Sequence, residues 1–501
     1  MRAAVLSVLF LASMAAASAA SEDSLSVGRF GRVHLYQQFP SPARVVLFVS
    51  GDGGWNQGVV DMARELAALD ALVAGIDITH YLKELRQSSE RCLYPAADFE
   101  ALSQAVQKSR GFGRYVTPVL VGYSSGATLV YAAIAQAPPA AFRGAISLGF
   151  CPDLAVTHPL CPGSGLATRP TPRGTGLIVL PDAALEVPWI ALQGTIDQVC
   201  DPESTLAYVR KVHGAEVVML PKVGHGYSVP SHWMPQFKAA FERLSARPDP
   251  SAVGMRLQVP PAASGASTTG EPPKSAVAPA PVAATPQTLA APELEHLPLT
   301  EVAPHPPESD LLALHLTGDG GYGVTDHGIA TMLAQHGTPV VVLNSLHYFW
   351  NPRTPDAIAA DVESILRHYL TAWKKERAIL IGYSMGADVL PFVVERLPAD
   401  LKRRIALVAF LGLGSSADFE LRVSGWLGGA HRPPSLPVRP EVEKLRGLRM
   451  LCFYGAEDDD ALCKDLDPGL VESVGLHGGH RIGGNYGAIA EAILHEIVAG
   501  R

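Results

Sequence analysis

Two serines in this chain sit in the setting that turns a hydroxyl into a nucleophile. Ser124 lies in Gly122-Tyr123-Ser124-Ser125-Gly126, and Ser384 in Gly382-Tyr383-Ser384-Met385-Gly386. Each follows an apolar run (Pro118 to Val121, Ala378 to Ile381) and precedes an apolar helical pattern, which reads as strand, sharp turn and helix with the hydroxyl presented at the turn. A serine attacks a carbonyl only when a histidine takes its proton, and that histidine needs a carboxylate to fix its tautomer and stabilise the imidazolium. Both partners follow each serine in the order acid, then histidine: Asp197 and His225 after Ser124, Asp458 and His480 after Ser384. The serine-to-acid interval differs by one residue between the copies. Glu457, Asp459 and Asp460 compete with Asp458, but aligning Gly194 with Gly455 puts Asp458 opposite Asp197.

The oxyanion formed by such an attack needs backbone donors, and glycines let the main chain approach the reacting carbonyl. Gly51-Asp52-Gly53-Gly54-Trp55 and Gly318-Asp319-Gly320-Gly321-Tyr322 follow an early strand in each copy. They nominate the N–H groups of Asp52 and Gly53 with Ser125, and of Asp319 and Gly320 with Met385. A phosphate-binding loop would require a lysine and a hydroxyl residue that these loops lack. Trp55 and Tyr322 read either as pocket walls or as core. The side chains of Asp52 and Asp319 read as caps for the next helix. Asp388, Asp418 and Glu420 are candidates to hold an ammonium group, with solvated surface carboxylates as the plainer alternative.

The elements that must position these residues alternate between strand and helix patterns, which predicts an α/β fold: two α/β-hydrolase-like domains, each a mostly parallel sheet covered by helices. Residues 1–20 run from Met1-Arg2 through an apolar stretch to Ala17-Ser18-Ala19-Ala20, predicting a secretory signal cleaved near Ala19 or Ala20. The first domain is expected over 21–246 and the second over 294–501. Between them, 247–293 turns to Pro, Ala, Ser and Thr, the composition of a flexible linker. Thr354-Pro355-Asp356 predicts a helix start.

Export lets thiols persist as disulfides, and the six cysteines split four and two. Cys452 and Cys463 have only each other in the second copy. Among Cys92, Cys151, Cys161 and Cys200, the short interval favours Cys151 with Cys161. No metal-ligand spacing is present, and neither metal nor organic cofactor is expected. A net charge of -8 gives no basic footprint, which argues against nucleic acid as a partner.

The second copy, and the two-copy arrangement, resemble the VirJ/AcvB family of exported virulence proteins. The resemblance is carried by GDGG at Gly318, SLHYFWNPRTPD from Ser345, LIGYSMGADVLPF from Leu380, SGWLGG from Ser424 and LCFYGAEDDDALC from Leu451. The family pattern has Asp and Arg where this chain has Asn344 and His347. The resemblance implies a periplasmic serine hydrolase that cleaves aminoacyl-phosphatidylglycerol, lysyl or alanyl, with Ser384, Asp458 and His480 as its triad. Its lipid substrate would be met transiently at the membrane surface. Shorter relatives imply instead an adaptor role toward secretion-system proteins, and a general esterase or peptidase is the third reading. The first copy is then either a second active site or a positioning module.

Overall fold

Strands buried on both faces must be apolar nearly throughout, and Arg44–Val49, Ala71–Ile76 and Leu311–Leu316 are. The computed structural model describes residues 21–249, 255–258, 294–421, 435–480, 482 and 486–499. The expected signal segment, most of the expected linker and the Ser424 to Gly429 motif lie outside the described residues.

The first half forms an eight-stranded sheet from β1 (Ser21–Val27), β2 (Gly31–Gln37), β3 (Arg44–Val49), β4 (Ala71–Ile76), β5 (Val119–Tyr123), β6 (Gly144–Leu148), β7 (Trp189–Gly194) and β8 (Glu216–Leu220). Their spatial order is β1-β2-β4-β3-β5-β6-β7-β8, with β1 and β2 antiparallel to their neighbours and the rest parallel. The second half repeats the order as β9-β10-β12-β11-β13-β14-β15-β16. These strands are Met255–Gln258, Leu299–Ala303, Leu311–Leu316, Val340–Leu343, Arg377–Tyr383, Ile405–Leu411, Met450–Gly455 and Glu472–Leu476 in sequence order. The edges differ in one respect. β1 and β2 are antiparallel across a three-residue turn, whereas β9, which falls inside the stretch read as linker, pairs parallel with β10 after a long connection.

Two helical layers cover each sheet. On one face of the first sheet lie α1 (Gln57–Ala67) and α4 (Met234–Ala246), burying Val59, Met62, Leu66, Phe237 and Phe241; on the other lie α2 (Pro95–Ser109) and α3 (Ser125–Gln136). In the second half α5 (Val324–Gln335) and α8 (Tyr486–Ala499) cover one face, while α6 (Pro355–Ala372) and α7 (Met385–Arg396) cover the other. The expected start of α6 is found: Thr354 Oγ1 accepts from Ala357 N at 3.2 Å. The expected aspartate caps are not. Asn56 caps α1, and α5 starts at Gly323 with Asp326 Oδ2 accepting from Gly323 N. Asp52 and Asp319 lie too early, because the tight turn closed by Gly54 N to Gly51 O intervenes before the helix.

The halves touch through α2 and the loop after it. Phe112 and Tyr115 pack with Leu346, Trp350 and Leu421, Trp350 Nε1 donates to Phe112 O at 2.7 Å, and Lys108 Nζ donates to Trp350 O and pairs with Glu420 at 3.4 Å.

The disulfides correct one expectation. Cys92 pairs with Cys161 and Cys151 with Cys200, while Cys452 pairs with Cys463 as expected. The short Cys151–Cys161 loop is not closed because Leu93 bridges to Leu160 and accepts from Cys161 N, which carries Cys161 to Cys92. Three buried or half-buried disulfides and no free cysteine among the described residues mark an oxidising compartment. No helix among the described residues is long and apolar enough to cross a membrane.

Candidate active site

Each serine stands between a strand end and a helix start in a backbone conformation that side chains rarely adopt. Ser124 has φ 54° and ψ -122°, and Ser384 has φ 51° and ψ -119°. That sharp turn works because the flanking glycines have no side chains. A Cβ on Gly122 would collide with the Gly126 carbonyl, and one on Gly126 with the Ser50 and Val49 carbonyls; Gly382 and Gly386 are confined in the same way. The strained turn lifts each hydroxyl off the sheet edge, at the C-terminal ends of the parallel strands.

In the first half Ser124 Oγ donates to His225 Nε2 at 2.9 Å, and His225 Nδ1 donates to Asp197 Oδ2 at 2.9 Å. In the second, Ser384 Oγ donates to His480 Nε2 at 2.9 Å and His480 Nδ1 to Asp458 Oδ2 at 2.9 Å. All six side chains nominated from sequence therefore form two hydrogen-bonded trios. Of the competing acids, Glu457 turns instead to His477 at 3.3 Å.

The supports of the two acids differ. Asp197 lies in the turn that follows β7 and its side chain is fully buried; its Oδ1 accepts from Val199 N at 2.8 Å and Cys200 N at 2.9 Å, and its Oδ2 also accepts from Gln193 Nε2 at 3.1 Å. Gln193 and the Cys151–Cys200 bond were not foreseen as parts of the site. The signal available was Gln193 placed directly before Gly194, a polar side chain inside an apolar strand. Asp458 has one further contact, from Asp460 N at 3.3 Å. The histidines follow suit: the His225 side chain is 16% exposed and that of His480 49%.

The glycine loops lie against the nucleophiles. A Cβ on Gly51 would stand 2.9 Å from Ser124 Cβ, and one on Gly318 3.5 Å from Ser384 Cβ. Ser125 and Met385 open helices α3 and α7, so their N–H groups have no intrahelical acceptor. With the N–H groups of Asp52, Gly53, Asp319 and Gly320 on the neighbouring loops, these are the donors that the sequence nominates for an oxyanion. Trp55 and Tyr322 belong to the core: Trp55 packs on His34, Tyr36 and Phe48 and donates to Tyr36 Oη at 3.0 Å, while Tyr322 is buried. Behind the second loop sits a buried pair that sequence reading missed, His315 Nε2 donating to Asp326 Oδ1 at 2.7 Å.

Acids gather around Asp388 beside the second nucleophile. Asp388, one turn beyond Ser384, accepts from Gly414 N at 2.7 Å, and burial reinforced by Asp418 and Asp319 pushes its carboxyl up to about 7. Asp418 accepts from Ser435 Oγ at 2.6 Å, and Glu420 is committed to Lys108 of the first half. Glu100, on α2 of the first half, comes within 3.6 Å of where a Cβ on Gly320 would stand, so a carboxylate from one half borders the glycine loop of the other. Asn344 caps a short helix, and His347 is half-buried against Tyr115, where desolvation lowers its imidazole to about 4. The Asp and Arg of the family pattern are thus replaced by a helix cap and an interface ring. Cys200 lies near Asp197 and His225, but its sulfur is bonded to Cys151 and offers no thiolate to a metal.

The sheet order, the strained serine turns and the two trios define an α/β hydrolase with two such units in one chain. The sequence model of the bacterial virulence protein VirJ matches residues 43–148 and 310–500, more than half of the chain, and the protein belongs to that family. The first matched span ends before Asp197 and His225. No curated protein matches the chain. Among solved structures it is similar to Est1E from Butyrivibrio proteoclasticus, at 11% identity over 45% of this chain and 99% of that one with a TM-score of 0.31. It is also similar to dienelactone hydrolase from Anabaena variabilis, at 16% identity over 45% and 95% with a TM-score of 0.32. A putative dienelactone hydrolase from Klebsiella pneumoniae is similar at 18% identity over 46% and 98%, with a TM-score of 0.32.

Proposed function

We propose that the protein is an exported, periplasmic serine ester hydrolase that cleaves aminoacyl-phosphatidylglycerol, lysyl or alanyl, to free amino acid and phosphatidylglycerol. The observation that carries this reading is the Ser384–His480–Asp458 chain, with both links at 2.9 Å, set among carboxylates. Ser384 Oγ attacks the ester carbonyl while His480 Nε2 takes its proton, and the imidazolium returns that proton to the departing lipid alcohol. Water then attacks the aminoacyl-enzyme with His480 again as base, freeing the amino acid. The oxyanion of each step lies toward the Asp319-Gly320 loop and Met385 N, where one donor is worth about 100- to 1,000-fold in rate. The substrate's ammonium fits a site whose acid loop carries Glu457, Asp458, Asp459 and Asp460, with Asp319 and Asp388 nearby. No metal or organic cofactor enters these steps, and the lipid is met transiently at the membrane surface.

The test is release of lysine from lysyl-phosphatidylglycerol vesicles by the purified protein and by Ser384→Ala. Turnover in the parent and its loss in the variant are expected. Equal lysine release by both would refute the reading, and a parent inactive on aminoacyl lipids would favour the adaptor role toward secretion-system proteins.

A further inference from the structure

The function proposed above uses one of the two trios. We infer that the first half is a second catalytic centre, with Ser124 as nucleophile and esters of uncharged, apolar acyl groups as its substrate class. This goes beyond the Ser384 reading and does not depend on it.

The geometry is the stricter of the two. Ser124, His225 and Asp197 are linked at 2.9 Å and 2.9 Å, and Asp197 accepts from Val199 N, Cys200 N and Gln193 Nε2 besides His225. Those donors fill the buried carboxylate's lone pairs and fix its plane, so the imidazole is aimed before substrate arrives. Cys200 is in turn tied to Cys151 on the chain leaving β6, which anchors the acid loop covalently to the neighbouring strand end.

The substrate class follows from what surrounds the trio. Aligned on their acids, the loops carry Ile196, Gln198 and Val199 in the first half where the second has Glu457, Asp459 and Asp460. One turn beyond the nucleophile, Thr128 stands where the second half has Asp388, and its hydroxyl is spent on the Cys151 carbonyl. Each acid on these matched positions is thus a neutral or apolar residue in the first half. Among the described residues five large apolar side chains are exposed, and three lie on the loops that hold the acid and the base: Ile196 at 60%, Val199 at 66% and Val229 at 48%. At these positions a cationic acyl group meets Ile196, Gln198 and Val199 instead of carboxylates, whereas an alkyl acyl group buries apolar surface against the loop. The nearby Asp201 caps its own helix through Ser204 N, and Asp52 is the one acid outside the trio kept in common with the second site.

The reaction balances without a co-reactant other than water. Ser124 Oγ bonds to the acyl carbon as its proton passes to His225 Nε2; the ester C–O bond breaks and the alcohol leaves with that proton. Water then adds to the acyl-enzyme, giving a proton to His225, and the bond to Ser124 Oγ breaks as the proton returns, leaving the carboxylic acid.

The full-length protein is treated with an uncharged alkyl fluorophosphonate, and the peptides containing Ser124 and Ser384 are read separately by mass spectrometry. An adduct on Ser124 that disappears in a His225→Ala variant of unchanged circular dichroism is expected. No adduct on Ser124, or one that survives His225→Ala, overturns the inference, while the Ser384 peptide reports on the proposed function alone. Substrate class is tested in Ser384→Ala, where the first site alone turns over, by comparing p-nitrophenyl hexanoate with lysine p-nitrophenyl ester. Adding Ile196→Glu with Val199→Asp, both at exposed positions that tolerate charge, is expected to cut the neutral-to-cationic preference about tenfold or more. An unchanged preference overturns the assigned class.

Discussion

The two trios share side chains, order and distances but differ in how their acid is held and what lies around it. Asp197 is buried and receives four hydrogen bonds, one of them from the backbone of a disulfide-bonded residue. Asp458 receives two, on a loop of four consecutive acids, and its histidine is half exposed. One fold thus carries the same hydrogen-bonded trio on an apolar, disulfide-tied loop and on an acidic one. On the readings proposed above, the relay sets the reaction and the residues flanking the acid set which acyl group is drawn to it.

The strongest way to break this comparison is to remove the bases. His480→Ala is expected to lower hydrolysis of a cationic aminoacyl ester about a million-fold at that site, and His225→Ala to do the same to a neutral ester at the other. Steady-state rates with each ester check this; loss of both activities from one substitution would show a single working site. Removing the orienting acid is milder. Asp197→Asn and Asp458→Asn should each slow turnover about 10,000-fold by admitting the wrong histidine tautomer, again each on its own ester.

Disulfide removal sharpens the contrast between the loops. Cys151→Ser with Cys200→Ser is expected to cost about 2–4 kcal/mol of stability, seen as a lower denaturation midpoint. It should also slow the neutral ester more than the cationic one, because Cys200 N is a ligand of Asp197 and nothing of Asp458. Equal slowing of both esters would mean that the bond acts on global stability alone.

An effect confined to high pH concerns Asp388. Its carboxyl is raised from 3.8 to about 7 in the folded protein, so the folded state binds this proton more tightly than the unfolded chain does. Its stabilising contribution is fully present below pH 3.8 and is lost as pH rises through about 7. Asp388→Asn keeps an acceptor for Gly414 N and removes the charge. Melting curves should show the variant more stable at pH 8 by on the order of 2–4 kcal/mol and matched with the parent near pH 4.

The core of this account was legible in the chain because it rests on short-range signals. The Gly-x-Ser-x-Gly turns, the apolar runs before them and the glycine loops are local, and repetition aligned the two acids without any structure. What could not be read depends on long-range packing. Cys161 goes to Cys92 because Leu160 bridges to Leu93, a contact between segments far apart in sequence. The support of Asp197 by Gln193 requires β7 to turn its side chain toward the acid, and the approach of Glu100 to Gly320 requires the two halves to dock. The helix caps were misplaced for a local reason: the glycine turn consumes the residues after Asp52 and Asp319 before either helix begins.

The most direct measurement crosses the two serines with the two ester charges, recording kcat/KM for a neutral alkyl ester and a lysyl ester in the parent, Ser124→Ala and Ser384→Ala. The account predicts that Ser384→Ala removes lysyl-ester hydrolysis and Ser124→Ala removes neutral-ester hydrolysis. Loss of lysyl-ester hydrolysis in Ser124→Ala, with Ser384→Ala still active on it, would contradict it.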